Sequence, residues 1–273
     1  MTPAPLTDRA ALAAHRARAR ADALFLHREA AASVEERLAE VNRGFTAPAI
    51  VTGHPEPWRD VAPGARVVAD EPVLDLAPGA HDLVIHALAL HWADDLVGQL
   101  VQCRRALRPD GLFLGVLFGG ESLRELRAAL AEAEARVSGG LSPRVAPMAE
   151  IRDAGALLQR AGFALPVADS DRRTVLYETP FHLLRELRAM GEGNALAARH
   201  RRPAPRALFA EAARIYADTY GRPDGRVPAT VEMIHLAGWA PHESQQRPLR
   251  PGSAAARLAD ALGAAERPLP REA

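Results

Sequence analysis

Three residues that can take part in ligand binding or proton transfer follow apolar runs of the chain. His91 and Trp92 come after the run Leu83–Leu90, and Glu121 comes shortly after the run Leu112–Phe118. In an open α/β sheet, ligands lie beyond the carboxyl ends of the strands. This position predicts that His91 and Trp92 face a ligand cleft; the alternative is an aromatic pair that only closes the sheet. Glu121 is predicted either to reach the cleft or to stabilise the first turn of the following helix.

Several kinds of catalytic site are excluded by the residues present. The sequence has no phosphate-binding glycine loop, no G-x-S-x-G nucleophile motif and no paired zinc-ligand spacing. Nothing in the spacing of its histidines favours an iron site built from His86, His91 and a carboxylate, so no metal site is predicted. All 34 basic residues are arginines, which excludes Schiff-base and lysine-nucleophile mechanisms. His86 lies within an apolar run and is predicted to be a satisfied core histidine.

Charge and cysteine content limit the partners and the compartment. The net charge is +0, from 34 basic and 34 acidic residues, so no general attraction to nucleic acid or to an anionic membrane follows. The single cysteine, Cys103, cannot form an internal disulfide and fits a reducing compartment. No apolar stretch approaches the ~20 residues of a transmembrane helix. We therefore expect a cytoplasmic bacterial protein with neither a nucleic-acid partner nor a transmembrane segment.

The candidate residues require a strand–helix–strand unit to position them. The apolar run that precedes His91 has the length of a buried strand. Asp94 or Asp95 can then cap a helix, whose apolar residues recur at steps of four, three and four: Leu96, Leu100, Cys103 and Leu107. The turn Pro109–Gly111 ends this helix, because proline cannot continue it and glycine accepts positive φ. Both strands are continuously apolar, which is typical of a parallel sheet covered on both faces.

Hydrophobic periodicity and cap residues predict further elements around this unit. Helices are predicted over residues 8–41, 122–137, 150–161, 179–190 and 206–220, and strands over residues 47–53, 167–177 and 230–238. Ser122 and Glu125 have the spacing of a capping box. Four arginines of the first predicted helix are assigned to a solvated face: Arg16, Arg18, Arg20 and Arg28.

The segments DLVIHALALHW and RALRPDGLFLGVLFGGESLREL resemble strands four and five of class I S-adenosylmethionine methyltransferases. Within that superfamily, the motifs LHW, FGGESL and GWAPHES are most similar to the methyltransferase-like complex I assembly factor of mitochondria and alphaproteobacteria. The malonyl carrier-protein methyltransferase of biotin synthesis is a more distant match. The resemblance is strong over residues 82–253. It implies an α/β, Rossmann-like fold with a mostly parallel sheet.

The resemblance also identifies a cofactor side of the fold. In class I methyltransferases the first strand leads into a glycine-rich loop that lets backbone approach the methionine part of S-adenosylmethionine. Here Gly53 alone remains of that pattern, and Pro55 and Pro57 remove donors and stiffen the loop. The degenerate loop predicts that S-adenosylmethionine binding is weak or lost. On the same resemblance, His91 and Trp92 lie near the cofactor.

Asp70 and Glu71 are further cofactor-binding candidates, with two possible alignments. In the first, residues 66–76 precede strand four and place Asp70 and Glu71 on the adenine side. In the second, residues 66–70 form the second strand and Asp70 binds the ribose hydroxyls. In both, about one βα unit is missing, so the sheet is shortened near its second strand. A solvated strand end is the alternative to any binding role.

The resemblance implies an N-terminal helical lid over residues 1–46, a methyltransferase-like domain over residues 47–253 and a frayed tail over residues 254–273. Four residues are predicted on the substrate side: Glu121, His242, Glu243 and Gln246. No catalytic residue is assigned, because methyl transfer requires little beyond alignment of the reacting atoms.

Three functions are compatible with this pattern. The first is an S-adenosylmethionine-dependent enzyme that acts on a protein side chain during respiratory complex I assembly; the resembling family is associated with arginine hydroxylation of a complex I subunit. The second is an inactive scaffold of the same fold that binds an assembly intermediate. The third, a methyltransferase of the biotin-synthesis type, predicts an intact glycine loop and therefore ranks last.

Overall fold

In the computed structural model, a six-stranded sheet has the strand order β2-β1-β3-β4-β6-β5. The strands are β1 (Pro48–Thr52), β2 (Arg66–Val68), β3 (His81–Ala87), β4 (Leu107–Phe118), β5 (Ala164–Tyr177) and β6 (Val227–Trp239). The first four pair in parallel, whereas β6 is antiparallel to both β4 and β5. The predicted α/β class with a mostly parallel sheet is confirmed.

The structure describes residues 4–246 and residue 263. The chain forms two compact units, residues 1–241 and residues 242–273, and the sheet belongs to the first. Seven α-helices of this unit are α1 (Arg9–Arg16), α2 (Phe25–Val41), α3 (Leu96–Ala106), α4 (Arg124–Ser138), α5 (Ile151–Arg160), α6 (Pro180–Met190) and α7 (Arg206–Tyr220). Within the described residues, none of the helices combines the length and the apolar character needed to cross a bilayer. The predicted frayed tail lies outside the described residues, apart from residue 263.

The central strands are apolar on both faces because helices cover both faces. Ile50 and Ile85 belong to a core cluster shared with α2, whereas Val51 and Val84 belong to a cluster shared with α3 and α5. Successive strand residues thus alternate between the two clusters, as the two-residue period of a strand requires. This double burial explains why the runs that the sequence shows are continuous rather than alternating.

The sheet is shortened on the side of β2. The β1–β2 connection holds only the 3-10 helix Glu56–Trp58, and no helix occurs in residues 69–80, which connect β2 to β3. Trp58 is 0% exposed and fills the core beneath this short connection. Because β2 pairs in parallel with β1 directly, residues 66–68 occupy the place of a second strand, which is the second of the two alignments considered from the sequence.

Two of the predicted helix boundaries are wrong. The N-terminal helix is broken between α1 and α2 by the 3-10 helix Ala21–Ala23, and there Arg20 N donates to Ala189 O at 2.8 Å. Helix α3 ends at Ala106, so the predicted turn lies inside β4 and shifts its register against β3. Asp110, rather than the adjacent glycine, has the positive φ of 60°.

The predicted capping box at the start of α4 is also wrong. Ser122 Oγ donates to Glu232 O at 3.0 Å, and Glu125 accepts a hydrogen bond from Thr230 N at 3.1 Å. Both side chains therefore hold α4 against β6 instead of capping their own helix. By contrast, Asp95 caps α3, as predicted, and Thr179 caps α6 at the predicted start of that helix.

Candidate functional site

The carboxyl ends of three parallel strands bring most of the predicted cofactor residues together. Gly53 follows β1, Asp70 follows β2, and His91 with Trp92 forms a 3-10 turn after β3. Because parallel strands all point the same way, these ends meet at one edge of the sheet. All except Gly53 are buried, so this edge is covered rather than open to solvent.

Arg16 of α1 forms a buried ion pair at this edge. Its Nη1 lies 2.6 Å from Asp70 Oδ1, and the two side chains are 10% and 5% exposed. Arg9 Nη2 also donates to Asp70 O at 2.6 Å. Burial raises the pKa of Asp70, but the neighbouring Arg16 and Arg9 guanidinium groups lower it by more. The assignment of Arg16 to a solvated face is therefore wrong: the break after α1 lets the side chain turn inward.

The Arg16 guanidinium lies directly on Gly53. A Cβ atom at Gly53 would be 2.2 Å from Arg16 Cζ and 2.3 Å from Nη1, far inside van der Waals contact. A side chain at position 53 would therefore have to displace the Arg16 guanidinium from this place. The Arg16 side chain thus occupies, in this conformation, the surface that a glycine loop would offer to the methionine part of S-adenosylmethionine.

Three polar side chains meet behind Arg16. One nitrogen of His27, one of His54 and one carboxylate oxygen of Glu192 all lie within 4.8 Å of one another. Each residue also has one buried atom without a hydrogen-bond partner in the described structure: His27 Nε2, His54 Nε2 and Glu192 Oε1. Trp58 Nε1 lies 3.3 Å from His27 Nδ1.

Burial sets the protonation of this cluster. It lowers the pKa of His27 to about 3 and lowers the pKa of His54 as well. For Glu192, burial raises the pKa, but hydrogen bonding and charge from His91 and the charge of Arg16 lower it below its ordinary value. At neutral pH the cluster is therefore two neutral imidazoles and one carboxylate.

Glu192 joins this cluster to the aromatic residues that follow β3. Trp92 Nε1 donates to Glu192 Oε2 at 2.8 Å, and His91 Nε2 lies 3.5 Å from the same oxygen. The His91 ring is also 4.9 Å from the Phe118 ring between centroids. His91 and Trp92 both line a cavity, and their role in ligand binding stays a prediction.

That cavity has a volume of about 1080 Å³ and lies between the sheet edge and helices α4, α6 and α7. Its walls are mainly apolar and include Leu126, Leu130, Leu183, Leu187, Met190 and Phe209. Five arginines also line it: Arg18, Arg144, Arg185, Arg188 and Arg206. Arg144 pairs with Glu134, whereas the other four have no ion-pair partner in the described part of the chain.

The remaining predicted residues lie elsewhere. Glu71 is 63% exposed and 3.7 Å from Arg9 Nη2. Glu121 pairs with Arg124 Nη1 at 2.6 Å and is not among the cavity-lining residues described. His86 is buried in the core as predicted, and its Nε2 lies 3.2 Å from Gln99 Oε1. Its Nδ1 has no hydrogen-bond partner in the described structure, so the histidine is only partly satisfied.

Three substrate-side predictions belong to the second unit. His242 Nδ1 lies 2.7 Å from Ser244 Oγ, and Glu243 lies in a turn. Gln246 is exposed. Their role at the site stays a prediction.

Four residues of the site were missed from the sequence: Arg16, His27, His54 and Glu192. They come from α1, α2, the segment after β1 and the turn after α6. No short-range spacing connects them, and the one local signal is the helix stop at Gly191, which predicts a turn but not its neighbours.

Comparison with known proteins gives several matches. A family model described as a methyltransferase domain matches residues 56–115. The mitochondrial arginine-hydroxylase NDUFAF5 of Danio rerio is 40% identical over 72% of this chain and 61% of that protein. The human NDUFAF5 is 42% identical over 70% of this chain and 55% of its own length. The chain thus spans less than two thirds of these relatives.

A second group of relatives has a different activity. Malonyl-[acyl-carrier protein] O-methyltransferase of Halorhodospira halophila is 35% identical over 77% of this chain and 70% of that protein. Among solved structures, a candidate methyltransferase of Bacillus halodurans has a TM-score of 0.50 and is 13% identical, covering 76% of this chain and 99% of its own. At that identity the structural match supports the fold alone.

Proposed function

The chain belongs to the class I S-adenosylmethionine methyltransferase family that includes arginine-hydroxylase NDUFAF5 and malonyl-[acyl-carrier protein] O-methyltransferase, and from this we propose that it acts on or binds a protein subunit during respiratory complex I assembly. In this proposal, S-adenosylmethionine binding is weak or lost. The observation that carries it is the contrast between a cofactor surface occupied by Arg16 and a large cavity next to it.

The cofactor half of the proposal rests on contact and charge. To expose Gly53, the Arg16 side chain must leave a buried ion pair with Asp70. Asp70, the candidate ribose ligand, would then keep only Arg9, whose Nη1 lies 3.4 Å from Asp70 Oδ2. Because the Arg16 guanidinium would lose its buried counter-charge at a large cost, cofactor binding competes with the Arg16–Asp70 pair. In this proposal, residues 1–46 act as the lid predicted from the sequence. Arg16 is the lid residue that contacts Gly53 and Asp70.

The partner half of the proposal rests on the cavity. Its apolar walls can bury side chains of a protein segment, and its four unpaired arginines favour acidic groups beside them. Glu192 is the one carboxylate among the described lining residues. A partner segment that carries apolar and acidic side chains fits this lining, whereas a strongly basic surface is repelled. The proposed location is the cytoplasm, as expected from a sequence whose single cysteine cannot form an internal disulfide.

Calorimetric titration with S-adenosylmethionine tests the cofactor half. The wild-type protein should bind with a Kd weaker than ~100 µM, about −5.5 kcal/mol. Arg16→Met, which frees the surface of Gly53 and leaves Asp70 paired with Arg9, should bind S-adenosylmethionine more tightly than the wild type, and Arg18→Met serves as a control outside the ion pair. Low-micromolar binding by the wild type that Arg16→Met abolishes would contradict the proposal, because Arg16 would then be a cofactor ligand.

Deletion of the gene tests the partner half. The deletion strain should contain less assembled complex I and less NADH:quinone activity, and the wild-type gene should restore both. The double variant Arg188→Glu with Arg206→Glu should fail to restore them, since it reverses two charges of the cavity, whereas Arg202→Glu, an exposed arginine outside the lining, should succeed. Normal complex I together with a biotin requirement would instead identify a carrier-protein methyltransferase.

A further inference from the structure

We propose that His27, His54 and Glu192 form a binding site for one divalent transition-metal ion. Each contributes one buried polar atom that has no hydrogen-bond partner in the described structure, and potential ligand atoms of all three lie within 4.8 Å of one another. Buried polar atoms are nearly always satisfied in folded proteins. A single ion would satisfy all three at once.

The donor set fits a particular class of ion. Two neutral imidazoles and a carboxylate suit iron(II), cobalt(II), nickel(II) or zinc(II), and a two-histidine, one-carboxylate set leaves coordination positions open. Calcium and magnesium prefer oxygen donors and are disfavoured by the imidazoles.

The fold holds the three ligands on separate elements. His27 lies in α2 and is 0% exposed, and His54 is 6% exposed. Glu192 follows Gly191, whose φ of 86° ends α6 and whose Cβ position is 3.3 Å from His54 Cε1. A side chain at Gly191 would therefore press on the ligand His54. Donor atoms that bind one ion at ordinary distances of ~2.0–2.1 Å lie roughly 3–3.5 Å apart. Atoms at the 4.8 Å limit would therefore have to approach one another by roughly 1–2 Å.

One contact must change when the ion binds. If His27 ligates through Nε2, its proton resides on Nδ1, which faces the Trp58 N–H at 3.3 Å. That distance is already at the long end of hydrogen bonding, so little is lost when it lengthens. Trp58→Phe removes the opposing N–H and should bind the ion at least as tightly as the wild type.

The surrounding charge is mixed. Arg16 interacts with all three ligands and opposes a cation, but its charge is compensated by Asp70. Glu192 also lines the large cavity. A bound ion therefore lies beside the candidate substrate site, independently of whether S-adenosylmethionine binds.

The experiment is a cobalt(II) titration of the tag-free full chain after treatment with a chelator, followed by d–d absorption and calorimetry. We expect one ion per chain. Even outer-shell partners are worth ~10–100-fold in metal affinity, so His54→Gln and Glu192→Gln should each weaken binding by at least ~100-fold. His235→Ala is the matched control, because His235 is also buried with both ring nitrogens unpartnered in the described structure but lies outside the cluster.

Thermal unfolding with and without cobalt(II) tests the site even if a substitution destabilises the fold. Saturating cobalt(II) should raise the Tm of the wild type and of His235→Ala, because the ion binds the folded state, and should leave the Tm of Glu192→Gln unchanged. Absence of a cobalt(II) complex with the wild type at millimolar ion would overturn the proposal. So would binding that persists at full strength in both His54→Gln and Glu192→Gln.

Discussion

Replacing Asp70 by asparagine should destabilise the protein far more than the loss of a surface ion pair. Asp70 Oδ1 and Arg16 Nη1 are 2.6 Å apart, and the side chains are 5% and 10% exposed. Arg16 Nε and Nη2 have no hydrogen-bond partner in the described structure, so the substitution leaves a buried guanidinium without its counter-charge. Removing one partner of a buried pair costs about 3–5 kcal/mol. We expect the free energy of unfolding to fall by about 3 kcal/mol, since asparagine can still accept hydrogen bonds.

Urea denaturation followed by circular dichroism at pH 7 measures this effect. The control is Asp75→Asn, because the Asp75 side chain is 85% exposed in its pair with Arg66. Exposed ion pairs of this kind contribute at most ~1 kcal/mol to the free energy of unfolding. The pKa of folded Asp70 lies below its ordinary value, so its contribution is present above the unfolded pKa of ~3.9 and is lost as the pH falls through the folded pKa. The gap between wild type and Asp70→Asn should therefore narrow below about pH 4. Equal stabilities of the Asp70 and Asp75 variants at pH 7 would refute the reasoning.

Three other perturbations test separate contacts. Gly53→Ala should destabilise the wild type but be tolerated together with Arg16→Ala, because the three atoms nearest to the added Cβ all belong to the Arg16 guanidinium. A coupling energy below ~0.5 kcal/mol in a double-mutant cycle would contradict this. Glu125→Ala should cost about 1–3 kcal/mol in urea denaturation, because it leaves buried Thr230 donors unpaired. Cys103, which is 0% exposed and whose pKa is raised by burial, should react with a thiol reagent only after unfolding; rapid reaction of the native protein would show an open core.

Local signals in the sequence predicted the elements well where the contacts that stabilise them are also local. Asp95 caps α3 through Gly98 N at 2.7 Å, three residues away, and Thr179 with Gly191 delimits α6. The continuous apolar runs also predicted strands buried on both faces. In each case the deciding interaction lies within one helical turn or within the strand itself.

The wrong predictions share a different physical origin. Ser122 and Glu125 have capping-box spacing, but their side chains bind β6, more than 100 residues away along the chain. The α1–α2 break contains neither glycine nor proline, and tertiary contacts determine it. Arg16 was assigned to solvent because a charged side chain on a helix usually is exposed, and no local feature indicated its partner Asp70.

A lone glycine after the first strand was interpreted from the sequence as the remnant of a cofactor loop. Glycine at such a position indicates only that some atom approaches the backbone closely; it does not identify that atom. In this protein the approaching group is the Arg16 guanidinium, 2.2 Å from where a Cβ would lie. Asp70, the candidate ribose ligand, carries the matching charge. Gly53 and Asp70, the two residues that would contact a cofactor, are thus also the two that contact the Arg16 side chain. Only a variant that removes Arg16 can show whether the cofactor or the arginine needs them.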